Sequence, residues 1–258
     1  QDGLNVLHGE EFFLVKGALA TGDGVDDLAC TVRKGHRKVF TRNRKEYDRL
    51  SEHVGRCPVV MITPYDGTLV QDGSDTRRRF LDGLIAQFDR AYLEALLRYN
   101  RALAHRNLLL KNMAGRGDRT LAEPWDEQII VNGEAVHSVR KAFMEELVPL
   151  LLEHYAGISS GPERVTAWYR SELSDRSMRD ILASNWSRDL AAEHTTGGIH
   201  KDDLVFMLDD QPLKRFGSQG QQKTFLIALK LAQFDLTARH SGIKPVLLLD
   251  DIFDKIDP

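Results

Sequence analysis

Cysteine and long apolar runs are both scarce in this chain. Two cysteines, Cys30 and Cys57, occur in 258 residues, too few for a disulfide framework or a zinc site. The apolar runs fall well short of the roughly 20 residues that span a membrane, and no secretory signal is recognisable. These absences argue against the disulfide-rich and membrane-spanning classes, and we expect a cytoplasmic protein.

The chain also lacks an excess of positive charge. Its 35 Lys and Arg are balanced by 38 Asp and Glu, and the net charge of −3 argues against a uniformly basic nucleic-acid surface. Positive charge is instead concentrated in one segment, at Arg33, Lys34, His36, Arg37, Lys38, Arg42, Arg44, Lys45 and Arg49. Five of these residues are candidate DNA contacts: Arg37, Lys38, Arg42, Arg44 and Lys45. The alternative is a solvated hairpin face that binds nothing.

A P-loop is the third absence, since no Gly-x-x-x-x-Gly-Lys-Ser/Thr occurs in the sequence. The stretch from Gly217 to Thr224 is superficially similar. However, Gln222 stands where that motif needs a glycine directly before Lys-Thr. The lysine and backbone cradle that a P-loop supplies to phosphates are therefore missing from this sequence.

What the sequence does contain is an apolar run that ends in two acids. Residues 244–249 predict a strand buried on both faces, as in a parallel sheet, and Asp250 and Asp251 follow directly. Ligands bind at the carboxyl ends of such strands, and adjacent buried carboxylates require a metal ion, a proton or a basic partner. This is the pattern of a Walker B strand, in which Asp250 holds Mg²⁺ and Asp251 polarises the attacking water. The alternative is an ordinary strand end with a solvated Asp-Asp turn.

A second motif lies upstream of this strand. Ser218 is a good N-cap for an apolar helix, and Gly217 and Gly220 let backbone N–H groups face an anion. Ser218, Gly220 and Gln221 match Ser-x-Gly-Gln, the ABC-type signature; the alternative is a capped helix start that binds no ligand. Signature, helix, apolar strand and paired acids in this order favour an ABC-type ATPase. Asp257 then falls at the position of the D-loop Asp.

The whole chain resembles the RecF family, bacterial DNA replication and repair proteins related to SMC head domains. Four stretches carry the resemblance: Pro58–Asp66, Arg77–Asp82, Gly198–Leu204 and the segment from the signature to Asp251. The third departs from the commoner Gly-Pro-His-Arg-Asp-Asp-Leu at Ile199 and Lys201, and lysine lacks the planar fork of arginine. The resemblance implies an α/β fold, an ABC-type P-loop NTPase head of the SMC-like kind with an inserted antiparallel helical arm domain.

The resemblance also implies a function. It implies ATP and Mg²⁺ as cofactors, an ATP-dependent homodimer, and recognition of gapped or double-stranded DNA. It further implies loading of the recombinase RecA with the partners RecO and RecR, in repair of DNA damage and the SOS response. The family's P-loop precedes the matching segment and the family continues past Pro258, so we expect an internal fragment that forms no complete ATP site alone. The alternatives are another SMC-type ATPase head and a structural module without activity.

Three segments are expected along the chain: residues 1–72 and 159–258 as the two parts of the ATPase head, and residues 73–158 as the helical arm. Alternating residues predict an antiparallel sheet near the start, with a turn at Gly22-Asp23-Gly24, and a buried strand over Val59–Ile62. Asp66 follows that strand and resembles a Q-loop residue that senses the γ-phosphate. The alternative is a turn Asp after a proline.

Helical periodicity predicts the arm. One pattern runs over residues 76–103 and a second over residues 125–151, with a kink near Pro149. Two long helices with a short polar connection pack antiparallel. Arg77–Arg79 begin the first helix, where the dipole disfavours cations, so a phosphate or an acid across the dimer is their expected partner.

The last segment is predicted to return to the head. Its predicted elements are a strand over residues 164–170, a helix over residues 174–194, and strands over residues 203–210 and 212–216. His200 lies beside Asp202 and Asp203, a cluster that suits a metal ion. A hydrogen-bonded corner is the commoner meaning of such a cluster.

Overall fold

The structure, a computed structural model, describes residues 2–21, 24–113, 117–159 and 161–250. The chain divides into two compact units, Gln1–Cys57 and Pro58–Pro258. Within the described ranges, no helix is long and apolar enough to cross a membrane.

The first unit contains the antiparallel sheet that its alternating residues predict. Its strands are β1 (Phe12–Thr21), β2 (Gly24–Arg33), β3 (Val39–Arg42) and β4 (Lys45–Glu46), paired in that order. The turn predicted at residues 22–23 lies outside the described residues. β3 and β4 are joined by Asn43 and Arg44, whose φ angles of 50° and 68° are the left-handed values that two-residue hairpins require.

The second unit combines helices with two small sheets. Its helices are α1 (Thr68–Gln71), α2 (Ser74–Ile85), α3 (Arg90–Asn112), α4 (Glu123–Ile158), α5 (Met178–Ser184), α6 (Trp186–Ala192), α7 (Leu213–Phe216) and α8 (Gln219–Ser241). Its strands are β5 (Val59–Ile62), β6 (Val165–Arg170), β7 (Asp203–Leu208), β8 (Gln211–Pro212) and β9 (Val246–Leu249). A short 3-10 turn, Pro64–Gly67, connects β5 to α1.

β5 and β9, each predicted as a strand, form a parallel pair. Val59 pairs with Val246 and Ile62 with Leu249, so the carboxyl ends of both strands lie at the same edge. The prediction that β9 is buried on both faces is wrong, since Val246 and Leu249 are 48% and 51% exposed. In the part of the chain that the structure describes, this sheet has no third strand, and α8 contacts the sheet chiefly through β5.

The arm, defined here as α2, α3 and α4, has one more break than the periodicity predicts. The pattern over residues 76–103 predicted one helix, but α2 and α3 are separate. Asp89 caps α3 by accepting a 2.8 Å hydrogen bond from the Tyr92 N–H, and the Tyr92 hydroxyl donates to Asp82 on α2. This capped turn ends the first helix, and a hydrophobic repeat alone does not reveal it.

α3 and α4 pack antiparallel, as predicted. Arg106 of α3 pairs with Asp126 of α4, and Tyr92 of α3 bonds Arg140 of α4, so the two sequences run in opposite directions along the contact. α4 continues through Pro149 to Ile158, and the kink predicted at this proline stays a prediction.

β6, β7 and β8 form an antiparallel sheet that precedes the signature. The strand predicted over residues 212–216 is wrong, because β8 ends at Pro212 and a helical turn, α7, follows. Pro212 has no N–H with which to extend the ladder, and Leu213 is fully buried instead. The helix predicted over residues 174–194 is in fact two helices, α5 and α6, and the first is capped by Ser177.

Part of the core of the second unit lies between α4 and α8. Leu147 and Leu151 of α4 and Phe225 and Leu229 of α8 are all at most 1% exposed. Full burial of such a side chain contributes about 1.5–3 kcal/mol. The helix that carries the signature at its start is therefore firmly anchored.

Candidate functional site

The signature residues form a capping box at the start of α8. Ser218 Oγ accepts a 3.2 Å hydrogen bond from the Gln221 N–H, and Gln221 Oε1 accepts one of 2.9 Å from the Ser218 N–H. The N–H groups of Gln219 and Gly220 have no acceptor among the described residues. The helix start is exposed and directs donors at solvent, an arrangement that suits a phosphate oxygen.

The two glycines of this turn have different tasks. A Cβ on Gly217 would lie 2.7 Å from Leu213 Cδ1 and 2.8 Å from the Leu213 carbonyl oxygen. Any larger residue would therefore clash with Leu213 in this turn. A Cβ on Gly220 would meet only Ser218 Oγ, at 3.9 Å. Gly220 therefore leaves the helix start accessible, while Gly217 permits the turn itself.

Asp66 lies in the 3-10 turn after β5, and both of its oxygens are engaged within the chain. Oδ2 accepts a 2.8 Å hydrogen bond from the Thr63 N–H, and Oδ1 pairs with Lys230 Nζ at 2.8 Å. The contact with the Thr63 N–H is the one expected if Asp66 is an ordinary turn residue after a proline. Sensing of a γ-phosphate by Asp66 stays a prediction.

Sequence reasoning missed Lys230, which ties α8 to this corner. Only 9% of Lys230 is exposed, and its ammonium also donates to the Met61 carbonyl oxygen at 3.0 Å. A buried ammonium requires a carboxylate partner, and Asp66 supplies it. The available signal was a lysine inside the otherwise apolar run from Phe225 to Ala232.

Asp250 follows β9 at the same edge of the sheet. Its N–H donates to the Ile62 carbonyl oxygen at 2.9 Å, which extends the parallel ladder by one bond and places Asp250 beside the end of β5. Carboxylate oxygens are ligands that Mg²⁺ prefers, so Asp250 fits the metal that a Walker B strand implies. Asp251 and Asp257 lie outside the described residues.

The three arginines at the start of α2 have partners in the chain itself. Arg77 forms a fork with Asp203, with Nε at 2.7 Å and Nη2 at 3.1 Å from its two oxygens. Arg78 donates to the Asp202 carbonyl oxygen at 2.6 Å, and Arg79 pairs with an acid one turn earlier. The prediction of a phosphate or a cross-dimer acid is therefore wrong, because the sequence does not show that β7 passes beside α2.

His200 belongs to a hydrogen-bonded corner. Its Nδ1 lies 2.8 Å from Tyr99 Oη, and its Nε2 lies 3.0 Å from the Thr195 carbonyl oxygen. Burial is the main cause that lowers the pKa of His200 to about 4, so the ring is neutral at pH 7. The described ranges hold no group of three or more side chains suited to a metal ion, and the hydrogen-bonded alternative is confirmed.

Arg140 is a buried arginine that links the arm to this corner. It reaches from α4 to Asp82 on α2 at 2.8 Å and to Asp202 before β7 at 3.1 Å. It also donates to the Ile199 carbonyl oxygen at 3.0 Å. Burial raises the pKa of Asp202, while hydrogen bonds from Ser171 and Tyr169 and the Arg140 charge act against this shift.

Arg106 makes a second buried link from α3. Its guanidinium pairs with Asp126 of α4 at 2.6 Å and with Asp189 of α6 at 2.7 Å. It also donates to Thr195 Oγ1 at 2.8 Å and lies 5.8 Å over the Trp186 ring. The side chain is fully buried, so its charge depends on these partners.

The basic segment of the first unit lies around the β3–β4 hairpin. Arg42 Nε pairs with Asp26 Oδ2 at 2.6 Å, and this hydrogen bond holds the pKa of Asp26 below its ordinary value. Arg37 donates to a backbone carbonyl oxygen at 3.3 Å, and Lys38 is half-buried. Arg44 and Lys45 are exposed at the hairpin tip, which leaves them best placed to meet a phosphate backbone.

No protein-family model matches the chain. The DNA replication and repair protein RecF of Flavobacterium johnsoniae is 44% identical over 255 residues, which cover 98% of this chain and 71% of the relative. The chain belongs to the RecF family. RecF of Bacteroides thetaiotaomicron is 45% identical over 257 residues, which cover 99% of this chain and 69% of the relative. The chain spans about 70% of the length of these RecF relatives.

Two solved RecF structures share the fold. RecF-ATP, a recombination mediator protein of the RecFOR pathway, matches with a TM-score of 0.90 and 27% identity over 97% of this chain and 70% of that one. RecF-ATPrS matches with a TM-score of 0.86 and 27% identity over 96% of this chain and 70% of that one. The expected α/β ABC-type ATPase head of the RecF family is confirmed.

Proposed function

We propose that the chain supplies the signature and Walker B part of an ATP-gated DNA-binding protein in replication and recombinational repair. The observation that carries the proposal is the exposed start of α8, where Ser218 and the N–H groups of Gln219 and Gly220 face solvent in a RecF-family head. The two solved RecF structures are those of RecF-ATP and RecF-ATPrS. A helix start of this kind suits the terminal phosphate of such a nucleotide.

In the proposed dimer, the signature of one subunit binds the γ-phosphate that the other subunit holds. ATP then lies in the interface, so its binding energy stabilises the dimer, and loss of the γ-phosphate lets the subunits part. Asp250 would hold Mg²⁺, which neutralises phosphate charge when bound, and Asp251 would polarise the attacking water. Ser218 contributes its hydroxyl proton, and the anchored helix keeps that group in place without reorganisation.

The biological role is proposed from family membership. RecF-ATP and RecF-ATPrS are recombination mediator proteins of the RecFOR pathway, and this supports RecO and RecR as partners. Recognition of gapped DNA and assistance to RecA loading complete the proposed role. ATP-dependent dimerisation is the step at which the signature residues of this chain would act.

Replacing Ser218 with arginine in the full-length protein tests the signature role. The large side chain fills the space of the phosphate and removes the cap. We expect ATP-dependent dimerisation to weaken by at least roughly 100-fold, as when two charge-assisted hydrogen bonds of about 1.5 kcal/mol each are lost. Light scattering measures the dimer, and nucleotide binding by the monomer serves as an internal reference.

Ser218→Thr is the matched control, because threonine keeps both the hydroxyl and the cap. It should dimerise nearly as the wild type does. Unchanged dimerisation in Ser218→Arg would show that the signature of this chain does not bind nucleotide across the interface.

DNA contact by the hairpin tip predicts a change in salt dependence. Replacing Arg44 and Lys45 with glutamate should weaken DNA binding and flatten the slope of log K against log salt by about 0.9 for each lost phosphate contact. Fluorescence anisotropy on duplex DNA at several salt concentrations measures the slope. The control Arg79→Glu reverses a charge that is 77% exposed on α2. An equal slope in the wild type and in the tip variant would show that the hairpin tip is solvated and does not contact DNA.

A further inference from the structure

Gln222, the residue after the signature, has a side chain that bonds in two directions. Its Nε2 donates to the Gly217 carbonyl oxygen at 2.8 Å and, at a longer 3.4 Å, to the Leu213 carbonyl oxygen. Its Oε1 accepts a 2.6 Å hydrogen bond from Gln71 Nε2. An amide side chain can donate through its NH₂ group and accept through its oxygen without carrying a charge.

Gln71 is held at its backbone as well as at its side chain. The Lys214 ammonium donates to the Gln71 carbonyl oxygen, so Lys214 and Gln222 both form hydrogen bonds with the last residue of α1. α1 follows directly on the turn that contains Asp66, and Asp66 is itself paired with Lys230 of α8. The segment from Asp66 to Gln71 is therefore tied to α8 at two levels along the helix.

The bond to Gly217 acts on the signature directly. The Gly217 carbonyl belongs to the peptide unit that also contains the Ser218 N–H, so fixing the carbonyl orients the residue whose hydroxyl caps the helix. The bulk of α8 does not depend on this bond, because Phe225 and Leu229 anchor the helix in the core. Loss of the Gln222 amide should therefore loosen the turn while the helix remains folded.

We infer that Gln222 is a positioning residue for the signature, and that through Gln71 it links the signature turn to the segment after β5. A displacement of that segment, for example on nucleotide binding, is passed to the Gly217–Ser218 peptide. The inference rests on the proposed function for its effect on dimerisation. The mechanical link itself is a property of this chain and is testable without nucleotide.

Hydrogen exchange on the full-length protein without nucleotide tests the link by itself. In Gln71→Leu, the hydrogen-bonded amides of Gly217, Ser218, Gln221 and Gln222 should exchange about 3- to 10-fold faster, as expected when one hydrogen bond of about 0.5–1.5 kcal/mol is removed. Amides in the middle of α8 should be unchanged. Gln128→Leu is the matched control, because Gln128 is exposed on α4 and its side chain makes no hydrogen bond among the described residues. Unchanged exchange at these four amides in Gln71→Leu would overturn the link.

A double-mutant cycle in the full-length protein tests the positioning role. Gln222→Leu should weaken ATP-dependent dimerisation about 3- to 10-fold, with unchanged melting temperature and unchanged nucleotide binding by the monomer. Adding Gln71→Leu should cost nothing more, because the link is already broken. The pair Gln71→Glu with Gln222→Lys replaces the amide bond with an ion pair and should restore most of the loss.

The inference would be overturned if the losses from the two leucine variants were additive, or if Gln222→Leu dimerised like the wild type. The proposed function would still stand in either case, provided that Ser218→Arg weakens the dimer as expected. If Ser218→Arg dimerises normally, the proposed function fails instead. The exchange experiment then still decides whether the link between Gln71 and Gln222 exists.

Discussion

Replacing Arg140 with methionine is expected to lower the free energy of unfolding of the second unit by about 3–5 kcal/mol. Methionine keeps much of the volume but removes the cation between Asp82 and Asp202. The Asp202 side chain is 1% exposed and would be left as a buried carboxylate without a cation. It must then either remain charged at high cost or take up a proton.

Urea denaturation followed by circular dichroism measures this loss. Arg179→Met is the matched control, because Arg179 pairs with Glu127 at 2.8 Å but with 60% and 54% of the two side chains exposed. A pair of that kind contributes about 0–1 kcal/mol. Adding Asp202→Asn to Arg140→Met should recover part of the loss, since it removes the stranded charge. Equal losses in Arg140→Met and Arg179→Met would contradict the role of burial.

Replacing Gly198 with alanine is expected to cost about 3–5 kcal/mol, from backbone strain and overpacking together. Gly198 has φ 119° and ψ −177°, a conformation that is open almost only to glycine. An added Cβ would also lie 2.6 Å from Met178 Cε and 2.8 Å from Tyr99 Oη. Both penalties act on the loop that presents His200 and Asp202 to the arm.

Gly242→Ala separates the two penalties. Gly242 ends α8 with φ 67°, and an added Cβ there would meet nothing within 4 Å. Alanine at that position should cost only the left-handed backbone, about 1–2 kcal/mol. The same urea experiment compares the variants, and a Gly198→Ala cost no larger than that of Gly242→Ala would show that the loop yields around the methyl group.

Local patterns in the sequence predicted the parts of the candidate site that are locally determined. A serine before an apolar helix makes its cap with the residue three positions later, so Ser218 and Gln221 could be placed without tertiary information. The strands β5 and β9 followed from their apolar composition, although their pairing with each other did not. The antiparallel sheet of the first unit followed from its alternation.

Partners distant in the sequence were beyond prediction. Arg77 meets Asp203 across 126 positions, and Lys230 meets a turn near the start of the second unit. Helical periodicity indicates that a position faces inward but does not identify the charged partner at that position. Arg140 therefore looked like an ordinary helix residue. The predicted burial of β9 failed for a related reason, because burial is a property of the neighbours and not of the run itself.

The two buried arginines have a mechanical consequence for the arm. They join α3 and α4 at two separate heights, Arg106 with Asp126 and Arg140 with Tyr92. A slip of one helix past the other by one turn, about 5.4 Å, would strand both guanidinium groups in the core. Sliding of α3 along α4 is thus not available to this arm as a way to transmit a signal. We therefore expect α3 and α4 to move together as one unit.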